Sequence, residues 1–290
     1  CHPATQSPWR SDEETKVARV PNTPADPHAM VNAPLVSQSQ CLVLFARAPT
    51  PGQVKKRLIP DLNSGPACEL YRAFVDDILD RFRGSREFCV RMAVAGDEPL
   101  RLPASWKRVP LFVQQGNALG KRLAHAFRVL FAEGFERVVI IGTDAPTLSA
   151  DFVREAFESL QRKDVVIGPA VDGGYYLIGL HSHVRRDDDA SVRPPLRKGW
   201  TSLFQDIEWG GAQVLAQTLN VVRQLGLSLH LLPPWYDVDN HASLRFLACH
   251  LEALDLSGMA VPPNTFSKVR TLLGGPSPAA RAETHAANGS

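Results

Sequence analysis

Four short segments bring charged side chains to the points where apolar runs end, where a sheet would present them to a ligand. The first is Phe45-Ala-Arg-Ala-Pro-Thr-Pro-Gly-Gln-Val-Lys-Lys-Arg-Leu58. An apolar run passes through a Pro/Gly loop into Arg47, Lys55, Lys56 and Arg57, the fixed cations and backbone donors that nucleotide phosphates need; a solvated basic loop has the same composition. The second, Val138-Val-Ile-Ile-Gly-Thr-Asp-Ala-Pro146, releases Asp144 just after four apolar residues. A carboxylate there suits a divalent cation bridging phosphate oxygens, or it bonds its own turn or starts the next helix. The third, Ile167-Gly-Pro-Ala-Val-Asp-Gly-Gly-Tyr-Tyr-Leu177, sets Asp172 beside Gly173 and Gly174. Such glycines allow close approach to a ligand and also make an ordinary hairpin turn. The fourth, Tyr236-Asp-Val-Asp-Asn-His241, puts Asp237 and Asp239 on one side of an extended chain, where two carboxylates can share a metal or complement the N terminus of the helix that follows.

The elements that must position these groups follow from apolar periodicity. Strands are expected at Cys41–Ala46, Phe88–Ala95, Leu111–Gln114, Arg137–Ile141, Val165–Gly168, Tyr175–Leu180 and Leu227–Leu232. Helices are expected at Pro66–Phe82, where Leu70, Phe74, Ile78 and Phe82 share a face, and at Leu119–Glu133, Asp151–Gln161, Ala212–Leu225 and His241–Leu254, the last capped by Asn240. Alternation of this kind predicts an α/β fold with a mostly parallel central sheet and helices on both faces. In such sheets ligands bind outside the carboxyl ends of the strands, which is where the four segments fall. Pro-rich stretches read as tails at 1–39 and 274–290, leaving one domain at 40–273. The run Asp187-Asp-Asp189 within His181–Trp200 reads as a solvated loop, and His181 and His183 as its polar edge more readily than as a metal pair.

Composition excludes several classes. With 32 Lys+Arg against 30 Asp+Glu, the formal net charge is +2, which gives no electrostatic case for a nucleic-acid or membrane-surface binder. No apolar run approaches the roughly 18 residues of a membrane span. The five cysteines are odd in number, widely spaced and without a Cys-x-x-Cys pair, which points to buried thiols and a cytoplasmic protein. The Walker A and Gly-x-Gly-x-x-Gly spacings are absent, as are the Gly-x-Ser-x-Gly elbow and the His-Glu-x-x-His helix.

In order, the segments resemble a bacterial group of GT-A-like glycosyltransferases known as radical-SAM/selenodomain-associated transferase 1. The motifs that carry the resemblance are residues 45–58, Gln114–Leu123, the Gly142-Thr-Asp-Ala-Pro-Thr-Leu148 turn, Gly168–Leu177, Trp209–Leu215 and Asp237-Val-Asp-Asn240. The resemblance implies a three-layer GT-A fold that binds a nucleotide-sugar and uses Mg²⁺ or Mn²⁺. It implies that Arg47, Lys55 and Arg57 contact phosphates, with Gly52 in their loop, and that Asp144 is the main metal carboxylate, completed by Asp239 and Asp237. It places Asp172 and Gly173 on the acceptor side, makes Asp144 and Asp172 the catalytic candidates and adds Gly52 and Gly173 to the ligand-binding set. Lys56, Ala118, Gly211 and Asn240 depart from the group's usual residues. The expected function is transfer of a sugar to a small-molecule acceptor. The alternatives are a nucleotidyltransferase similar to phospholactate guanylyltransferases, joining a nucleoside triphosphate to a phospho-acid with release of pyrophosphate, and a non-catalytic nucleotide-binding member of the fold.

Overall fold

The computed structural model describes residues 39–96, 100–183 and 200–274. The expected tails fall outside the described residues apart from one residue each, and so does the Asp187–Asp189 run. Seven strands form one sheet: β1 (Gln40–Arg47), β2 (Cys89–Ala95), β3 (Leu111–Val113), β4 (Arg137–Gly142), β5 (Val165–Pro169), β6 (Tyr175–His181) and β7 (Leu229–Leu231), in the order β3-β2-β1-β4-β6-β5-β7. Only β6 is reversed, running antiparallel to both β4 and β5, while the other pairings are parallel. The sheet is therefore mostly parallel, as the alternation predicts.

The period of two along β1 distributes its side chains between two cores. Leu42, Leu44 and Ala46 pack with α2 (Ser64–Phe82) and α4 (Ala150–Ser159) on one face. Cys41 and Val43 pack with α3 (Leu119–Ala132) and α5 (Val214–Gln224) on the other. Both faces being covered explains why the central strands read as unbroken apolar runs. A third cluster joins α1 (Ile59–Leu62) and α2 to α6 (His241–Leu256) and α7 (Pro263–Leu273) through Leu62, Phe74, Leu247 and Val269.

Local chemistry sets several boundaries. Ser149 Oγ accepts from the Asp151 amide to start α4, and Asn240 and Ser243 form a reciprocal capping box on α6. The expected helix from Ala212 begins at Val214 instead, because the chain at Ala212 presses against the hairpin between β5 and β6. A Cβ on Gly173 would lie 2.1 Å from the Ala212 carbonyl oxygen, and the Leu215 amide donates to Gly173 O.

Helix α7 has no counterpart among the sequence expectations. Its N-cap, Pro262, supplies no side-chain acceptor. The buried Asp77 of α2 takes that role from a distance, its carboxylate accepting from the Asn264 amide and side chain and from the Thr265 amide at 2.6–3.0 Å. A helix end satisfied by a residue 187 positions away leaves no local signature. Asp77→Ala is expected to destabilise the fold by about 2–4 kcal/mol, since three donors lose a charged acceptor. Urea denaturation followed by circular dichroism measures this, and an unchanged midpoint would remove Asp77 from the account of α7.

Candidate active site

The β1 end opens into Thr50-Pro51-Gly52-Gln53, where the Gln53 amide bonds Thr50 O and Gly52 takes a φ of 81°. Pro and Gly at the two centre positions suit this turn. Lys55 follows in the left-handed region, φ 48° and ψ 43°, and a 3₁₀ turn over Lys56–Leu58 carries the chain toward α1. The loop thereby separates its cations. Arg47, Lys56 and Arg57 line a cleft of about 530 Å³ at the carboxyl ends of the strands. They are exposed, and none has a carboxylate partner among the described residues.

Lys55 turns the other way. Its ammonium lies 2.5 Å from Asp144 Oδ1 and 3.1 Å from Asp239 Oδ1, and donates to Val238 O at 2.6 Å. It also sits 5.4 Å from the centre of the Phe74 ring. The side chain is 3% exposed, against 42% for Asp144 and 38% for Asp239. Burial pulls the ammonium toward neutrality, but the two carboxylates outweigh it and hold Lys55 above the usual lysine range. The expected phosphate contact is therefore, in this structure, bound to carboxylates. The Val238 amide in turn donates to Asp144 O, docking the Tyr236–Asn240 segment against the end of β4.

Asp237 completes the acidic wall. Burial pushes its carboxyl up to about 7, and Asp144, Asp172 and Asp239 add to the shift while Lys55 opposes it. Among the described residues no three His, Cys, Asp or Glu side chains converge as a ready metal cage. The donor set nonetheless fits Mg²⁺ or Mn²⁺. These ions favour hard oxygen ligands, and Mg²⁺ is commonly held by one or two carboxylates together with substrate phosphates. Asp144 and Asp239 are two such carboxylates, close enough to share one cation.

The structure does not bring every expected residue to the cleft. Asp172 is exposed at the tip of the β5–β6 hairpin and accepts from the Gly174 amide at 2.9 Å, the ordinary turn role weighed from the sequence. Gly173 meets Ala212 and not the cleft, and Gly52 belongs to its turn. His181 pairs in register with Arg137 at the opposite end of the sheet, where its Nδ1 accepts from the His183 amide. Ala118, at the start of α3, supplies no side-chain cap, while Leu119 and Arg122 of that helix line the cleft.

Other residues matter to which motif reading assigns no role. The Tyr71 hydroxyl accepts from the Arg47 amide at 2.8 Å and shares a hydrogen bond with Thr143 at 3.2 Å, tying the basic loop to the Asp144 turn. Arg81 donates to the carbonyls of Pro146 and Leu148, holding the same turn from below. Gln114 spends its amide protons on Ala46 O and Ala93 O, fixing the ends of β1 and β2. The signal available for Tyr71 and Arg81 is that polar groups interrupt an apolar helix face.

Comparison with known proteins identifies the family and the fold. The profile of a family described as "Uncharacterized protein conserved in bacteria (DUF2064)" matches residues 75–211. The structure of a candidate nucleotide-diphospho-sugar transferase from Desulfovibrio desulfuricans G20 is 31% identical, with a TM-score of 0.67, covering 80% of this chain and 94% of that one. The chain belongs to this family. The fold is accordingly that of the Desulfovibrio protein, the three-layer α/β arrangement expected from the motifs. More distant is the inositol-1-phosphate CTP transferase from T. maritima, at 13% identity and a TM-score of 0.41, covering 77% of this chain and 98% of that one. The manganese complex of Rv0371C from Mycobacterium tuberculosis H37Rv stands at 13% and 0.40, covering 72% and 97%. Neither bears on the family's chemistry. No curated protein matches the sequence. Among the described residues no helix is long and apolar enough to cross a membrane.

Two outcomes follow from the site. Tyr71→Phe removes only the hydroxyl linking the two loops and leaves the Arg47 amide without its acceptor, so stability should fall by about 1–2 kcal/mol with the far-ultraviolet spectrum unchanged; urea denaturation reads this, and an unchanged midpoint would show the link to be dispensable. The raised Asp237 carboxyl means that the folded chain holds its proton where the unfolded chain has lost it, so this residue's contribution to stability declines as pH rises from about 4 to about 7. In chelator-treated protein at pH 8, Asp237→Asn should therefore melt higher than the parent by a few degrees. Equal melting temperatures at pH 8 would contradict that reading.

Proposed function

We propose that the protein is a divalent-metal-dependent transferase that binds a nucleotide-sugar in the cleft and passes the sugar to a small-molecule acceptor. The observation that carries this is the segregation of charge across one cleft. Arg47, Lys56 and Arg57, without carboxylate partners among the described residues, face Asp144, Asp237 and Asp239. That arrangement suits a ligand that is anionic and also needs a cation of its own, as a diphosphate does. The name carried by the Desulfovibrio protein points to the same ligand class.

In this reading the three exposed cations take the diphosphate oxygens, and the Arg47 amide is held in place by Tyr71. Asp144 and Asp239 would hold Mg²⁺ or Mn²⁺, which when bound stabilises the charge that develops on a departing diphosphate. Both residues line the cleft, and Lys55 engages Oδ1 of each. Asp237, half-buried in the cleft wall with its carboxyl pushed up to about 7, is placed to hydrogen-bond a hydroxylated acceptor.

Calorimetry with UDP and GDP, with and without Mn²⁺, tests the reading. The metal should strengthen binding in the parent, and Asp144→Ala should lose about 10-fold or more of that metal-dependent affinity while remaining folded. Undiminished binding in that variant would remove Asp144 from the metal site. Release of pyrophosphate from a nucleoside triphosphate and a phospho-acid would replace sugar transfer with nucleotidyl transfer. Binding of nucleotide without turnover of any nucleotide-sugar would leave a binding module.

A further inference from the structure

The buried lysine at the centre of the carboxylates has a consequence for how a metal enters. Three features fix its ammonium. The backbone at Lys55 is in the left-handed region, the side chain is 3% exposed, and the Phe74 ring lies 5.4 Å away. All three N–H directions are used, toward Asp144, Asp239 and the Val238 carbonyl. The carboxylates it bonds are the same two that would hold a divalent ion.

We infer that Lys55 is a resident counter-ion of the metal site, so that Asp144 and Asp239 take up a divalent cation strongly only together with the phosphates of the nucleotide. The inference rests on the transferase reading above. A divalent ion added beside two carboxylates already paired with an ammonium leaves an excess of positive charge. The mouth of the cleft adds to that excess, because Arg47, Lys56 and Arg57 have no carboxylate partners among the described residues. A diphosphate reverses the balance by supplying negative charge to all of these cations at once. Metal and nucleotide therefore bind as coupled ligands, each raising the affinity of the other by the same factor. Lys55 acts here through the carboxylates and is a positioning and charge-balancing residue.

The experiment is Mn²⁺ binding to the full chain, read by electron paramagnetic resonance of the free ion, without nucleotide and then with UDP or GDP. The parent should bind Mn²⁺ alone weakly. Lys55→Met and Lys55→Gln, which remove the charge, should bind it at least about 10-fold more tightly, as expected when a unit charge a few ångströms from the ion is deleted. Lys55→Arg, which keeps the charge, should remain weak. Coupling between metal and nucleotide should shrink in the two neutral variants. Lys55→Gln retains hydrogen-bond donors and carries the test should Lys55→Met fail to fold. Bare Mn²⁺ affinity that is equal or lower in both neutral variants would overturn the role of Lys55, as would tight binding of bare Mn²⁺ to the parent. If the parent binds neither Mn²⁺ nor nucleotide under any of these conditions, the transferase reading itself fails. An altered Lys55 result with nucleotide binding intact overturns only the counter-ion.

Discussion

The organisation of the cleft depends on one buried ammonium. Lys55 joins the loop after β1, the turn after β4 and the segment before α6, which are separated by as many as 184 positions in sequence. An isolated buried lysine would be costly, and so would the cluster of carboxylates around it. Each makes the other tolerable, and the Val238 carbonyl takes the remaining donor. A pairing of this kind is weak as a source of net stability but strict about geometry, because removing either partner strands the other. The three loops are consequently held to one arrangement at the point where the sheet meets solvent.

Helix α2 is the element that supports this arrangement. Tyr71, Phe74, Asp77 and Arg81 lie three or four positions apart, on the face that also carries Leu70 and Ile78. Tyr71 reaches the basic loop and Thr143, Phe74 lies against the lysine, Arg81 holds the Asp144 turn, and Asp77 caps α7. One rigid helix thus fixes the site's loops from behind, leaving the solvent side of the cleft to exposed cations. Placing a site on loops and its support on a helix allows the loops to differ in sequence while the carboxylate positions stay fixed.

How much of this can be read from the sequence depends on the range over which each signal acts. The strands of the central sheet are legible because burial on both faces makes them continuous apolar runs, and the caps of α4 and α6 because Ser149 and Asn240 act within three residues. The position of Asp144 just beyond β4 follows from the same local logic, as does that of Asp239 just before the capped start of α6. What does not follow is the pairing of groups across the fold. Lys55, Lys56 and Arg57 are alike as neighbours in sequence, yet the left-handed turn at Lys55 sends one into the carboxylates and leaves the others in the cleft. Gly173 looks like a ligand-facing glycine, whereas its missing Cβ makes room for the Ala212 carbonyl. Helix α7 depends on an acceptor 187 residues away and has no local mark.

The nearly balanced charge of the chain takes its meaning from this spatial separation. Averaged over the sequence, +2 gives no electrostatic case for general polyanion binding. In the cleft the same charges are sorted. One cation, Lys55, is neutralised inside the protein by Asp144 and Asp239, and three others, Arg47, Lys56 and Arg57, are left without carboxylate partners among the described residues. The difference is set by backbone conformation and by one helix face, neither of which alters composition. A variant that moved a cation from one set to the other would keep net charge, fold and motif unchanged while altering what the cleft can hold. Net charge and motif matches therefore constrain what this cleft can hold less than the groups buried behind the motifs, several of which α2 carries.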